Sequence, residues 1–260
     1  MTVRPGTLFV VLAALTAAPV GMAQEAVAPE KSSVLKTAPR MASFAFTSAP
    51  IAPASDFAPW VAQDAQESAD DVRLGRCLAD KEQCETVDLA RFRRVLEVAA
   101  TLPPREQLGL VHHYFNKVTW TSESRDSWSS LTQTAAQSRG DCEDIALAKY
   151  RTLRRLGWGP ENLRVVIGWD NEEKDWHAWL AARDGEAVFV LDSILGLQRA
   201  SAYPHARVVY SISELGVWDH APDYVPPDRA GDQVTAEADV PKRAARLAAN
   251  GYVSNKGNLK

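Results

Sequence analysis

The segment that starts at Gly140 sets a cysteine where a helix is expected to begin. Residues Ile145 to Leu156 are good helix formers without Pro or Gly, and Gly157 follows as a stop signal. Cys142 is therefore predicted in the first turn of this helix. The unpaired N–H groups and the helix dipole favour a thiolate there, and they could also bind an oxyanion. The alternative is a small buried cysteine with a structural role.

A hairpin predicted downstream of this helix carries a histidine and an aspartate on its two strands. Two strands are predicted around Asp184-Gly185, over Trp176 to Ala182 and Ala187 to Asp192. If Asp184 and Gly185 form the two-residue turn, His177 lies directly opposite Asp192. The carboxylate can then fix the tautomer of the imidazole and leave its other nitrogen to take a proton from a thiol. A bulge would turn Asp192 to the other face, and a pair that only satisfies a polar edge is the alternative.

Composition places the chain among globular proteins and disfavours nucleic acid as a partner. The 260 residues are 46% hydrophobic and 24% charged, with a net charge of -4. Such a balance gives no electrostatic reason to expect binding to nucleic acid or to an anionic membrane.

The first 23 residues predict export. Arg4 precedes the apolar run from Thr7 to Val20, and small residues end the segment at Ala23, so residues 1–23 are predicted to be a cleaved signal peptide. An uncleaved anchor is the alternative. No later stretch approaches about 18 apolar residues, so the mature chain is not expected to span a membrane. We therefore expect a periplasmic protein.

The rest of the chain divides by composition. Residues 24–71 are rich in Ala, Pro and Ser and predict a flexible tether, residues 72–220 predict the folded domain, and residues 221–260 predict a loose tail. Cys77 and Cys84 are close enough to form a disulfide in an oxidising compartment, which leaves Cys142 as the odd thiol. Three reduced structural thiols are the alternative.

Several segments together resemble a known family. They are Gly140-Asp-Cys-Glu-Asp-Ile-Ala-Leu-Ala-Lys-Tyr150, the His177-Ala178 strand, Val190-Leu-Asp192 and Val209-Tyr-Ser211. Over roughly Val72 to Trp218, and including the Cys77/Cys84 pair, the chain resembles the bacterial transglutaminase-like cysteine proteinases. The best-understood members of this family are the LapG-type periplasmic proteases that release large adhesins from the cell surface.

The resemblance implies a fold and a set of site residues. The fold is α+β with a papain/transglutaminase-like core, in which a helix carrying the cysteine packs on an antiparallel sheet carrying His and Asp. Cys142 is implied as the nucleophile, His177 as general base and then acid, and Asp192 as the group that orients His177. The resemblance also implies a calcium ion on the acidic residues beside the thiol, which are Asp141, Glu143 and Asp144. The alternative is that Asp141 caps the helix while the other two complement its dipole.

The implied function is hydrolysis of a peptide bond in a protein substrate through a thioester. The substrate would be a cell-surface adhesin, and the periplasmic domain of a membrane receptor would be a regulatory partner. Acyl transfer to an amine by the same triad, as in a transglutaminase or amidase, is an alternative. A module without catalysis that holds calcium or a partner protein is another.

Two positions depart from the family pattern. Ser193 follows Asp192 where the family commonly has Asn, which predicts a loosened orientation of the acid. Trp179 stands where a smaller aliphatic residue is usual, which predicts a narrower substrate cleft.

Overall fold

A computed structural model describes residues 44–121, 127–170, 175–203 and 206–221. The predicted signal peptide, residues 24–43 of the predicted tether and the predicted tail beyond Ala221 lie outside these residues. Among the residues that are described, no helix combines the length and the apolar character needed to cross a membrane.

Five α-helices precede the main sheet in the described part of the chain. Their starts follow capping rules: Thr86, Ser130 and Asp141 accept backbone hydrogen bonds as N-caps, and Pro104 opens its helix. The helices are α1 (Ala58–Ala79), α2 (Val87–Ala99), α3 (Pro104–Phe115), α4 (Leu131–Gln137) and α5 (Cys142–Arg155).

The strands form two sheets. A short parallel pair joins β1 (Thr119–Trp120) to β2 (Arg139–Gly140). The main sheet is antiparallel with six strands in the order β6-β5-β4-β3-β7-β8. Its strands are β3 (Leu163–Asp170), β4 (Asp175–Asp184), β5 (Ala187–Asp192), β6 (Gly196–Arg199), β7 (Ala206–Ser213) and β8 (Gly216–Asp219). The predicted class, helices packed on an antiparallel sheet, is confirmed.

Both faces of the main sheet are buried. One face packs against the helices, with Ile145 and Leu147 of α5 in the same apolar cluster as Leu180 of β4. The other face holds a second cluster, built around Trp179 and closed by Tyr203. On a sheet covered on both sides, polar side chains cannot reach water. Those that are buried must therefore form hydrogen bonds within the protein.

The predicted start of the folded domain at Val72 is wrong. Phe46 is buried, Ala52 forms a β-bridge with Val217, and helix α1 already begins at Ala58. The sequence gives no apolar periodicity here because several of the residues that α1 buries are polar. Glu67, for example, accepts a hydrogen bond from the backbone N–H of Leu131 at 2.7 Å. Polar residues fill about half of the buried positions of the helix, and hydropathy does not detect them.

The predicted turn of the β4–β5 hairpin is wrong by one residue. Asp184 pairs with Ala187, so the loop is Gly185-Glu186, and Gly185 has φ 59° at the first loop position. A Gly-X loop of this kind is an established two-residue hairpin turn. The pairing moves by two residues relative to the prediction, which leaves His177 and Asp192 on one face because side chains alternate with a period of two.

The structure joins Cys77 and Cys84 in a disulfide and leaves Cys142 free of any disulfide. The bridge ties the last residues of α1 to the loop that leads into α2. Cys142 is thus the only thiol among the three cysteines of the chain.

Candidate active site

Cys142 is the first residue of α5, as the sequence predicts. Asp141 is the N-cap, and its side chain accepts a hydrogen bond from the N–H of Asp144 at 3.1 Å. The thiol is 8% exposed and donates to Oε2 of Glu143 at 2.8 Å. A sulfur at this position lies beside the unpaired N–H groups of the helix start, where negative charge on sulfur or on a nearby oxygen is stabilised.

The turn that presents the thiol is held by Asp144. Its carboxylate accepts from the backbone N–H of Ser129 at 2.7 Å and from the Ser129 hydroxyl at 3.2 Å. Gly140 makes this approach possible, because a Cβ at that position would lie 2.8 Å from Cβ of Asp144. The small residue before the N-cap is therefore a packing requirement of the motif.

His177 and Asp192 are brought together, although not by the register expected from the sequence. Nε2 of His177 lies 3.0 Å from Oδ2 of Asp192, and both side chains are buried. With Nε2 facing the carboxylate, the neutral imidazole carries its proton there and leaves Nδ1 as the basic nitrogen. This is the tautomer that a proton acceptor for a thiol requires.

The carboxylate of Asp192 is fixed by four donors. Besides His177, the Tyr203 hydroxyl donates to Oδ2, and the backbone N–H groups of Ile194 and Leu195 donate to Oδ1. Burial opposes ionisation of Asp192, but the hydrogen bonds and charge of His177 and the Tyr203 and Ile194 donors hold its pKa below the usual range. The prediction that Ser193 loosens the acid is wrong, because main-chain groups and Tyr203 orient it.

The His177–Asp192 pair lies on the face of the sheet away from α5. Ala178 and Leu180 of β4 contact the helix-side core, and His177 and Trp179 point the other way, with ring centroids 5.8 Å apart. The structure thus separates the layer that carries the thiol from the face that carries the imidazole and carboxylate. A reaction that uses all three must take place at an end of the sheet.

Trp179 does not narrow a cleft, so that prediction is also wrong. Its side chain is 0% exposed and packs on Tyr203, with centroids 5.5 Å apart. Gly168 makes room for it, because a Cβ there would lie 2.5 Å from Cη2 of the indole. The large residue lies behind His177 and fills the second core.

Sequence reasoning missed three residues around the acid. They are Tyr203, Asn116 and Lys149, and the last of these lies within the segment that resembles the family, Gly140 to Tyr150. Asn116 donates to the backbone oxygen of Asp192 at 3.0 Å, and Lys149 donates to that of Leu191 at 3.1 Å. No local pattern indicates these contacts, because the partners are 76 and 42 residues apart.

The carboxylates predicted to bind calcium are each engaged within the protein. Asp141 caps α5, Glu143 accepts from the thiol, and Asp144 holds Ser129. In the described part of the chain, no three His, Cys, Asp or Glu side chains are grouped so as to hold a metal ion. Their oxygen chemistry suits calcium, and each carboxylate would have to exchange the hydrogen bond it now makes in order to bind the ion.

Comparison with known proteins agrees with this fold and chemistry. Residues 74–202 match the family model described as bacterial transglutaminase-like cysteine proteinase. Calcium-bound Legionella pneumophila LapG is similar at 25% identity and a TM-score of 0.51, over 55% of this chain and 85% of that chain. A second structure of L. pneumophila LapG has 22% identity and a TM-score of 0.48, over 75% of this chain and 99% of that chain. No protein of curated function matches the sequence.

Proposed function

We propose that Cys142, His177 and Asp192 are the catalytic residues of this protein, a cysteine peptidase whose residues 74–202 match the family model of the bacterial transglutaminase-like cysteine proteinases. The reaction is hydrolysis of a peptide bond in a protein substrate. The observation that carries this proposal is the buried contact of 3.0 Å between Nε2 of His177 and Oδ2 of Asp192. It leaves Nδ1 of an oriented imidazole to act on the one thiol of the chain.

In the acylation half of the reaction, Nδ1 of His177 takes the proton of the Cys142 thiol and the thiolate attacks the scissile carbonyl carbon. The N–H groups of the first turn of α5 stabilise the oxyanion of the tetrahedral intermediate. The intermediate collapses to a thioester while the imidazolium gives its proton to the leaving amine. Asp192 stays ionised throughout and stabilises the imidazolium.

In the deacylation half, the neutral imidazole takes a proton from water, and the resulting hydroxide attacks the thioester carbonyl. The second tetrahedral intermediate expels the thiolate and releases a carboxylic acid. The imidazolium and thiolate that remain are ready for the next substrate. The tautomer of His177 must be held through both halves, which is the role of Asp192.

The path of the chain supports a meeting of the thiol and the imidazole at one end of the sheet. Helix α5 ends at Arg155, β3 begins at Leu163, and β4 runs antiparallel to β3. If α5 runs antiparallel to β3, its first residue lies near the end of the sheet where β3 ends and β4 begins. His177 is the third residue of β4. The thiol then approaches the ring around the end of the sheet.

The substrate, the partner and the location belong to the proposal as well. A protease of this family acts on a protein, and we take a surface adhesin as substrate and the periplasmic domain of a membrane receptor as regulatory partner. The export signal expected in residues 1–23 supports periplasmic localisation.

Alkylation by iodoacetamide tests the catalytic residues. Cys142 is the only thiol, so labelling of the intact protein reports on it alone. We expect rapid labelling at pH 6 that falls at least about tenfold in His177→Ala, because a thiol without a base partner is protonated at that pH. His113→Ala, an exposed histidine of α3, is the matched control and should label like wild type. Equal rates in all three would indicate a module without catalysis.

Proteolysis itself is tested in cells that carry either wild type or Cys142→Ala. Mass spectrometry of outer-membrane and released proteins should show a new protein N-terminus only with the wild-type chain. Crosslinked products without a new N-terminus would indicate acyl transfer to an amine instead. If neither product depends on Cys142, the proposed activity is wrong.

Calcium binding to Asp141, Glu143 and Asp144 is a separate proposal. It is supported by the calcium-bound L. pneumophila LapG and by the oxygen donors of these residues. Binding would require the carboxylates to change their present hydrogen bonds. We expect calcium at about a hundred times its Kd to stabilise the fold by about 3 kcal/mol in wild type and not in Asp141→Asn. An equal response of both proteins, measured by thermal unfolding with magnesium as control, would contradict it.

A further inference from the structure

Lys149 is a buried cation without a carboxylate partner in the described part of the chain. Its side chain is 0% exposed, and no Asp or Glu oxygen of these residues lies within ion-pair distance of it. Its ammonium donates to Oδ1 of Asn116 at 2.8 Å and to the backbone oxygen of Leu191 at 3.1 Å. A buried charge held only by neutral acceptors is destabilising relative to an apolar residue, so a role beyond stability is indicated.

Asn116 links Lys149 to the main chain of Asp192. Its Nδ2 donates to the backbone oxygen of Asp192 at 3.0 Å, while its Oδ1 accepts from Lys149. The same amide nitrogen lies 3.2 Å from Nε2 of His112, one turn earlier on the chain. The amide therefore has a single orientation that satisfies both neighbours, with its oxygen toward the ammonium and its nitrogen toward the strand.

The contacts connect two elements of the proposed active site. Lys149 lies seven residues after Cys142 on α5, which is about 10 Å along the helix. Leu191 and Asp192 are the last residues of β5. Lys149 thus connects the helix that begins with the thiol directly to the strand that ends with the acid, and Asn116, at the end of α3, bridges Lys149 to the same strand.

Lys149 interacts electrostatically with Asp192 of the proposed triad and with His112. Burial lowers the pKa of Lys149 to about 7, and the negative charge of Asp192 partly opposes this shift. On α3, His112 faces the ammonium, and burial together with Lys149 lowers the pKa of that imidazole to about 4. His112 is therefore neutral near pH 7, and Asp192 is the charged group that acts on Lys149.

We propose that Lys149 and Asn116 are positioning residues that set the spacing between the Cys142 helix and the Asp192 strand. The inference rests on the proposed function, because the spacing matters only if thiol, imidazole and carboxylate react together. Neither side chain touches the reacting atoms. Their effect passes through the main chain of Leu191 and Asp192 to the orientation of His177.

The test is the pH profile of Cys142 alkylation by iodoacetamide in Lys149→Met. Methionine keeps the length of the side chain and removes the charge and the donors. We expect the rate at pH 6 to fall by about tenfold or more, because a displaced imidazole no longer pairs with the thiol. At pH 9 a free thiol is largely ionised, so we expect the rates of variant and wild type to differ by less than about threefold. A merely structural role would not change the rate at one pH alone.

A second variant and a matched control complete the test. Asn116→Asp keeps an acceptor for Lys149 and removes the donor to Asp192, and it should show the same loss at pH 6. Lys117→Met removes the exposed lysine next to Asn116 and should label like wild type. Fast and equal alkylation rates at pH 6 in wild type, Lys149→Met and Asn116→Asp would overturn the positioning role of Lys149 and Asn116 and leave the proposed function intact. A slow rate at pH 6 in wild type would overturn the proposed function together with it.

Discussion

The Tyr203 hydroxyl donates to Oδ2 of Asp192, the same oxygen that lies 3.0 Å from Nε2 of His177. Tyr203 is fully buried and packs its ring on Trp179, so the position of its hydroxyl is set by the second core. The acid of the proposed triad is therefore held from both sides, by the imidazole that it orients and by the phenol of Tyr203.

Tyr203→Phe should weaken the orientation of His177 without changing the shape of the core. We expect alkylation of Cys142 at pH 6 to slow by about tenfold, which corresponds to about 1.4 kcal/mol, the size of one hydrogen bond to a charged group. The free energy of unfolding at pH 7, measured in urea, should fall by about 1–2 kcal/mol.

The stability effect of Tyr203→Phe should depend on pH. The pKa of Asp192 is lowered in the folded protein, so its contribution is present above the unfolded value near 3.9 and is lost as pH falls through the folded value. Because Tyr203 helps to lower that pKa, the difference between variant and wild type should shrink as pH drops below about 4. Tyr114→Phe is the control, because the Tyr114 hydroxyl donates only to the backbone oxygen of Asp88, at 3.4 Å. An equal pH dependence of the stability loss in Tyr203→Phe and Tyr114→Phe would contradict the prediction.

The sequence predicts the proposed active site better than it predicts the boundaries of the domain. Helix α5 could be foreseen from its cap, its helix formers and its glycine stop, and β4 and β5 from their apolar and β-branched content. His177 and Asp192 fall on one face even though the observed turn is one residue later than the sequence predicts. The misplacement moves the pairing by two residues, and a shift of two preserves the face on which a side chain lies.

What the sequence does not predict depends on contacts without local periodicity. Helix α1 packs in part through the buried carboxylates of Glu67 and Asp70, and Asp70 accepts from the Ser130 hydroxyl at 2.6 Å. Such a helix looks like a polar linker when only hydropathy is considered. The roles of Tyr203 and Asn116 are equally hidden in the sequence, because both residues contact Asp192 only through the tertiary fold.

Gly140→Ala should destabilise the turn before the thiol. The new Cβ would lie 2.8 Å from Cβ of Asp144, which is fixed by its two bonds to Ser129, so a backbone shift is required. We expect a loss of about 1–3 kcal/mol in the free energy of unfolding and slower alkylation of Cys142. Gly109→Ala is the control, because nothing lies within 4 Å of a Cβ at that position in α3. That variant should gain about 0.5–1 kcal/mol, and equal effects would contradict the packing argument.

Reduction of the Cys77–Cys84 disulfide should destabilise the helical layer. The bridge closes a short loop at the end of α1, and chain-entropy estimates for loops of this size give about 2–3 kcal/mol. Unfolding in urea with and without reductant, in a Cys142→Ala background, measures the effect without interference from the free thiol. Cys77→Ala with Cys84→Ala should match the reduced protein and show no response to reductant. An unchanged midpoint for the bridged protein under reductant would contradict the prediction.

Lys149 should give the protein a stability that rises with pH above neutrality. Burial lowers its folded pKa to about 7, whereas the unfolded side chain titrates near 10.4, so the unfolded state binds more protons between these values. The free energy of unfolding of wild type relative to Lys149→Met should therefore increase by about 2 kcal/mol from pH 7 to pH 9. Urea unfolding of both proteins in a Cys142→Ala background measures this difference, with Lys117→Met as control. Parallel pH dependence of wild type and Lys149→Met would show that the ammonium does not titrate in this range.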